Sequence, residues 1–346
     1  MTSLVGLSTE ELRALAQEQG VPAYRGSQWA QWIYRRGARS FEQMTDLPEA
    51  LRMRLSESFA VGRSRVVASR HSRDGTVKLL LEAVDGSRVE TVGLPYEDRF
   101  SCCVSTQVGC PIGCVFCATG ASGYTRNLTA GEMVDQVLSA QEALSADAPQ
   151  GDKQGRIDHV PFMGMGEPLL NYEATLKAVH LLNDEVGIGM RHLTISTSGY
   201  MPGILRLMKE KLQVTLAVSL HAARDDLRRQ LVPGMSRWSV AQLVGVCRQY
   251  FEQTGRRVTF EYCLLAGVND RDTEARELAQ TLRGLGCHVN LIPYNQVPGL
   301  PYRAPSARRV QAFRETLEDA GIPVTQRFQR GADIEGACGQ LKRQTA

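Results

Sequence analysis

Three cysteines stand close together in the stretch GCPIGCVFC: Cys110, Cys114 and Cys117, spaced C-x3-C-x2-C. Thiolates this close, after a strand-like run and in a loop rich in glycine and proline, can converge on one metal centre. Two kinds of centre are open to them. Structural zinc takes four ligands, usually from two separated pairs, and would need Cys103 or a distant histidine as the fourth. An iron–sulfur cluster is also held by cysteine thiolates, four in the usual [4Fe–4S] case. With only three, one iron stays open to bind and activate another molecule. The chain has nine cysteines, an odd number. Its N-terminus, MTSLVGLSTEELRALAQEQG, is acidic and amphipathic and has no signal-peptide pattern. A reducing, cytoplasmic location is therefore expected, and a disulfide framework is not.

The other cysteines divide by context. Cys247, Cys263 and Cys287 lie in apolar periodic segments and read as core. Cys338 sits between Ala337 and Gly339, outside any apolar run, where a buried structural thiol is not expected. Cys102 and Cys103 are neighbours on a strand pattern, so they face opposite ways and only one can face a site.

The elements that must hold these residues follow from periodicity. Candidate strands are CCVSTQV, DHVPFMG, HLTIST, VTLAVSL, VTFEYCLL and CHVNLIP, with an amphipathic helical segment after each. Alternation of strand and helix predicts a parallel sheet with right-handed crossovers, either open and doubly wound or closed into a partial barrel. Barrel ligands sit at the C-terminal strand ends. Those ends read MGMGEP, STSG, SLH and PYN. Gly164 and Gly166 let a backbone approach a ligand, and Glu167 can accept from an ammonium or hydroxyl. Ser196, Ser219, His221 and Asn295 can line a polar site; they can equally cap the helices that follow.

Residues 1–65 read as a small helical accessory unit opened by a Ser8/Glu11 capping box. Residues 66–100 hold two strand-like runs around Asp85-Gly86, a strong hairpin signal. Residues 101–330 carry the strand–helix alternation, and 331–346 form a C-terminal segment carrying Cys338. A polar loop, SADAPQGDKQGR near 145–156, is expected at the surface. The 346 residues are 43% hydrophobic and 22% charged, which excludes a chain disordered or coiled-coil throughout. No run approaches the ~18 apolar residues of a membrane helix. A net charge of +3 permits an RNA partner without demanding one. Arginines around 25–39 and 303–330 are candidates for phosphate contact.

C-x3-C-x2-C resembles the cluster motif of the radical S-adenosylmethionine (SAM) enzymes. That resemblance implies a [4Fe–4S] cluster on Cys110, Cys114 and Cys117. Its open iron would chelate SAM, and one electron would cleave the sulfonium to a 5′-deoxyadenosyl radical. It also turns the fold toward an α/β, six-stranded partial (β/α)6 barrel with the helical unit and hairpin as extensions. The segments CVSTQVGCPIGCVFCATG, GMGEPLLN, ISTSG, SLHA, LIPYN and ACGQL, in that order, narrow the resemblance to the RlmN/Cfr family of RNA adenine methyltransferases. VETVGLP and the N-terminal unit match too, so nearly the whole chain is covered. PYN stands where many relatives have PWN; Tyr294 stays aromatic.

Roles carried over on these motifs are as follows. Gly166, Glu167, Ser196, Ser219, Leu220, His221 and Asn295 would bind SAM. Cys338 would carry the methyl group, Cys103 would resolve the adduct through a disulfide bond, and Glu90 would accept the proton. The implied activity is methylation of adenine C2 in 23S rRNA, at the peptidyl-transferase centre, and in tRNA beside the anticodon. The implied electron donor is a flavodoxin or ferredoxin, no membrane is involved, and a monomer is the expected state. Two rivals remain at this point. One is C8 methylation with the same cofactors and cysteines; the other is a zinc-stabilised RNA-binding protein without catalysis.

Overall fold

A computed structural model describes residues 1–147 and 156–342. Most of the polar loop expected near 145–156 falls outside the described residues. Six strands form a parallel sheet in strict chain order: Val160–Phe162, Leu193–Thr197, Thr215–Ser219, Val258–Leu264, Cys287–Pro293 and Val324–Gln326. Each pairs with its successor in the chain, so every crossover advances in the same direction around a partial barrel. Phe100–Cys103 lies along the other edge, where the Cys102 N–H donates to His159 O (2.9 Å) and the Val104 N–H to Pro161 O (3.0 Å). The six expected strands are therefore present. Val324–Gln326, three residues with no buried alternation, is an addition that periodicity could not reveal. The expected run CCVSTQV breaks in two, into Phe100–Cys103 and Gln107–Gly109.

Strand alternation sorts the residues that face the site from those that do not. In Val258–Leu264, Val258, Phe260, Tyr262 and Leu264 are fully buried among the core residues. Glu261 and Cys263, one register off, face the other side and line a cavity. On the helical side the helix Ala307–Asp319 sets Phe313 against Tyr262 with ring centroids 5.2 Å apart. Burying a ring of that size contributes about 1.5–3 kcal/mol. The helix Val240–Thr254 starts at a capping box between Ser239 and Gln242 and stops at Gly255 (φ 65°). These local signals place its length, and its apolar face does the rest.

Before the barrel comes a four-stranded antiparallel sheet of Arg65–His71, Val77–Glu82, Arg88–Pro95 and Phe100–Cys103. The Asp85-Gly86 hairpin forms as expected, with Glu82 opposite Arg88. Arg65–His71 is an added edge strand whose side chains are almost all exposed, so no apolar alternation marks it. The helical unit is built from Thr9–Glu18, Tyr24–Ala30 with a following turn, and Glu49–Ser58. Trp29 and Ile33 are fully buried there, in the same continuous core as the barrel. The unit docks closely: a side chain on Gly131 would put its Cβ 2.3 Å from Val5 O. Among the described residues no helix is long and apolar enough to cross a membrane.

Candidate active site at the mouth of the barrel

The loop from Cys110 to Cys117 closes over the C-terminal ends of the strands. Backbone bonds fix its shape: Cys110 N–H to Gly123 O (2.9 Å), Cys117 N–H to Cys114 O (3.1 Å) and Gly234 N–H to Ile112 O (2.9 Å). All three thiols line one cavity, together with Gly166, Glu167, Ser196, Ser219 and His221. Burial pushes the Cys110 thiol up to about 12 and Cys114 well above its ordinary value, and each is raised further by a neighbouring cysteine. Three thiolates so placed are unfavourable by themselves and need a cation to neutralise them. Sulfur donors facing a shared space suit the irons of a cluster. Among the described residues no group of three or more His, Cys, Asp or Glu is arranged to hold a single metal ion. Of the fourth ligands open to the zinc alternative, Cys103 lines a different cavity, and His221 lines the same one with its Nδ1 already accepting from the Cys263 N–H. The residues present therefore fit a three-cysteine cluster.

The strand ends are braced from behind. Glu167 is 1% exposed; its Oε2 accepts from the Ser198 N–H (2.6 Å) and its Oε1 from the Leu169 N–H (3.1 Å). Burial raises its pKa, and these hydrogen bonds oppose the rise. The carboxylate thus holds one strand end against the next while still lining the cavity. Gly164 and Gly166 also line it, and packing by itself already demands glycine at both. A Cβ on Gly164 would lie 2.6 Å from Ser105 Oγ, and one on Gly166 (φ +102°) 2.6 Å from Gln107 Cβ.

His221 sits in the left-handed region (φ 59°), and its Nδ1 accepts from the Cys263 N–H at 3.0 Å. The proton of the neutral ring is therefore on Nε2. Burial and then Arg228 push the ring down to about 3, so it stays neutral at working pH. In the unfolded chain it protonates near pH 6.5, so stability should fall as pH drops from about 6.5 toward 3, at about 1.4 kcal/mol per pH unit. Urea midpoints at pH 7 and pH 5.5 should differ less in His221→Gln than in the wild type. Equal shifts in the two proteins would refute this.

A second cavity adjoins the first. Both are lined by Met163, Gly164, Cys117, Ile292, Arg327 and Cys338. Cys338 thus stands on the wall between them. Its backbone is pinned, since Asn295 Nδ2 donates to Cys338 O (2.9 Å) and the Ala118 N–H to Gly339 O (2.9 Å). Cys103 lines the second cavity, whereas its neighbour Cys102 is fully buried, as alternation requires. Enclosure raises both the Cys103 and Cys338 thiols. Cys338 raises Cys103 further, Glu261 and Cys117 raise Cys338, and Arg327 opposes the rise in both.

Other expected residues lie elsewhere. Leu220 is fully buried and lines neither cavity; its N–H donates to Glu261 O (3.0 Å). Asn295 borders the second cavity rather than the first. Glu90 is 1% exposed and lines neither. Its Oε1 is 3.4 Å from Lys78 Nζ, and its Oε2 accepts from the Lys342 N–H at 2.9 Å. It therefore lies beneath the C-terminal segment, beside the chain that carries Cys338. Cys263 is core, as read, but also faces the first cavity.

Of three further residues at the site, Glu261 and Arg228 carried no sequence signal, and Arg327 lay only among the arginines of 303–330 read toward phosphate. Arg327 follows the unrecognised strand Val324–Gln326. Glu261 is buried on Val258–Leu264, with Asn290 Nδ2 donating to its Oε1 (2.8 Å). Arg228, 3% exposed, donates from Nη2 to Ser198 O (2.6 Å) and leaves its Nε without a partner. An isolated charge on a strand or helix pattern looks solvated until its neighbours are known.

A parallel partial barrel with three cysteines over its C-terminal mouth, facing one shared cavity, defines a radical SAM enzyme. The profile of the radical SAM superfamily matches residues 104–279, and that of the ribosomal RNA large subunit methyltransferase N-terminal domain matches residues 2–61. The chain is 49% identical over 339 residues to the "Probable dual-specificity RNA methyltransferase RlmN" of Thermosynechococcus vestitus, with 98% of each chain covered. It is 50% identical to the protein of the same description from Gloeobacter violaceus, over 99% of this chain and 96% of the other. A crystal structure of a radical SAM methyltransferase from Sphaerobacter thermophilus superposes with a TM-score of 0.93 at 48% identity, covering 99% of each chain. The chain belongs to the RlmN family of radical SAM RNA methyltransferases. Its cofactors are a [4Fe–4S] cluster and SAM.

Proposed function

We propose that this protein forms 2-methyladenosine in 23S rRNA and, next to the anticodon, in tRNA, with Cys338 as the methyl carrier. One observation carries the proposal: Cys338 lies on the wall shared by the cluster-side cavity and the cavity of Cys103. A group loaded on its sulfur from one side is presented to the other.

Carbon 2 of adenine is weakly acidic and has no useful nucleophilicity, so a methyl cation cannot simply be handed to it. Cys110, Cys114 and Cys117 hold the cluster, and Gly166, Glu167, Ser196, Ser219 and His221 face SAM. The cluster and SAM supply one-electron cleavage of a C–S bond and the hydrogen abstraction that follows. Cys338 accepts the methyl group and then joins it to the base. Glu90, beside the chain that carries Cys338, takes the C2 proton, and the unpaired electron of the adduct would pass back to the cluster, leaving a closed-shell thioether on Cys338. The Cys103 thiolate then attacks Cys338 Sγ. The Sγ–C bond breaks, its electron pair passes to the product carbon, which takes up a proton, and a Cys103–Cys338 disulfide remains for an external dithiol to reduce. An acidic one-electron carrier of the flavodoxin or ferredoxin kind would supply the electrons, and a cytoplasmic monomer suffices.

Turnover with methyl-labelled SAM tests the assignment. The digest of treated RNA should contain labelled 2-methyladenosine, and label at C8 would reject the regiochemistry. Cys114→Ala should reconstitute without iron and without the visible charge-transfer band. If that variant still holds a cluster, or if the wild type binds only zinc, the cofactor assignment to this loop fails.

A further inference from the structure

The walls of the second cavity carry Arg99, Arg327 and Arg330 and no aspartate or glutamate. Tyr96 stands between two of these arginines, with the Arg99 guanidinium 4.3 Å and that of Arg330 4.5 Å from its ring centroid. Arg330 Nη1 also donates to Pro95 O at 2.8 Å, which fixes the direction of its fork. Arg99 pairs with Asp98 (3.1 Å), a residue that does not line the cavity. Phe328 lies between Arg327 and Arg330 in the chain and is 84% exposed. Among the described residues the next most exposed aromatic is Tyr24, at 53%.

A phenyl ring left almost entirely in water gives up the burial energy its neighbours collect. Here it lines the same cavity as Cys338. Arginines lining a cavity with no carboxylate on its walls suit phosphate, and their planar forks approach it in pairs. A bare ring beside them suits the face of a nucleobase, which stacks whatever its sequence. Unstacked single-stranded RNA presents both groups at once. The arginines alone would also accept an acidic peptide; the exposed ring favours the nucleic acid.

We propose that Phe328 is the stacking platform for a nucleobase next to the target adenine, and that Arg99 and Arg330, steadied by Tyr96, take the adjoining phosphates. This rests on the reading of the protein as an RNA methyltransferase and adds the residues that splay the loop. The arginines of 25–39, by contrast, line neither cavity. Two of them tie the helical unit to the barrel, Arg35 by donating to Val186 O (2.7 Å) and Arg39 by pairing with Glu142 (2.5 Å).

The test uses reconstituted holoenzyme and an RNA stem-loop with an unpaired adenine in its loop. Phe328→Ala should weaken binding of that RNA about 5–100-fold and raise its KM more than it lowers kcat, and Phe328→Trp should restore both. Arg330→Gln should reduce the slope of log affinity against log salt by about one. SAM affinity and cluster absorbance serve as the controls for an intact fold. Wild-type RNA affinity in Phe328→Ala would overturn the proposal. So would a parallel loss of SAM binding, which would make the ring structural, or a loss of binding to an acidic polypeptide equal to the loss for RNA. A wild-type protein that binds no RNA would instead defeat the methyltransferase reading.

Discussion

Replacing Cys338 with alanine is expected to lower RNA methylation by roughly 10^4–10^6-fold, the scale of losing a covalent nucleophile. No other thiol is placed to substitute. Cys263 lines only the first cavity and Cys103 only the second, and Cys117 belongs to the cluster trio. The cluster should assemble normally in the variant, since Cys338 only adjoins the loop through backbone bonds. Cys103→Ala should behave differently. Methyl loading and coupling to the base would proceed, but the Sγ–C bond would have no thiolate to open it. A covalent protein–RNA species should accumulate, visible as a shifted band under denaturing conditions and by mass. Rapid multiple turnover by Cys103→Ala, or methylated RNA from Cys338→Ala, would sink the two-thiol scheme.

The second large effect concerns stability. Asp135 is fully buried in the helix Ala130–Asp147 and pairs with Arg63, whose side chain is 1% exposed. Arg63 Nη1 also donates to Gly37 O (2.7 Å), and the Ser64 N–H to Asp135 Oδ2 (2.7 Å). This pair pins the end of the helical unit to the barrel's first helix. Asp135→Asn should destabilise the protein by about 3–5 kcal/mol, because it leaves a guanidinium charge buried without its counter-ion. Glu142, 3.6 Å from Arg63 Nη2 and half-exposed, recovers part of that at most. The check is a urea melt at neutral pH, read as a lower midpoint at constant slope. The apolar double variant Arg63→Met, Asp135→Leu should be closer to wild type than Asp135→Asn, since it strands no charge. A cost below about 1 kcal/mol for Asp135→Asn would show that water reaches the pair.

Much of the site was readable before any coordinate. The cluster trio lies within one loop, so its spacing alone reports its geometry. Ser8 with Glu11, and Asp85-Gly86, act on backbone a few residues away, and both form as read. Alternation gave the strands and their parallel pairing, while the choice of a partial barrel over a doubly wound sheet came from the family resemblance and agrees with the strict chain order of the sheet. The failures share one cause. Arg65–His71 and Val324–Gln326 are edge strands without a buried face, so they leave no periodic trace. The packing demand at Gly164 and Gly166 was hidden in the same way: the atoms that exclude a Cβ belong to Ser105 and Gln107 on an adjoining segment.

What the chain determines by itself is therefore local: the sulfur trio, the caps, the hairpin and the succession of strands. Tertiary structure alone decides that Cys103 and Cys338, from opposite ends of the barrel domain, border one cavity, that Arg327 stands beside both, and that Glu90 lies under Lys342. Those are meetings between residues far apart in sequence. They depend on how strands close around a shared mouth and on which side chains the packing leaves facing it, and no spacing along the chain encodes either.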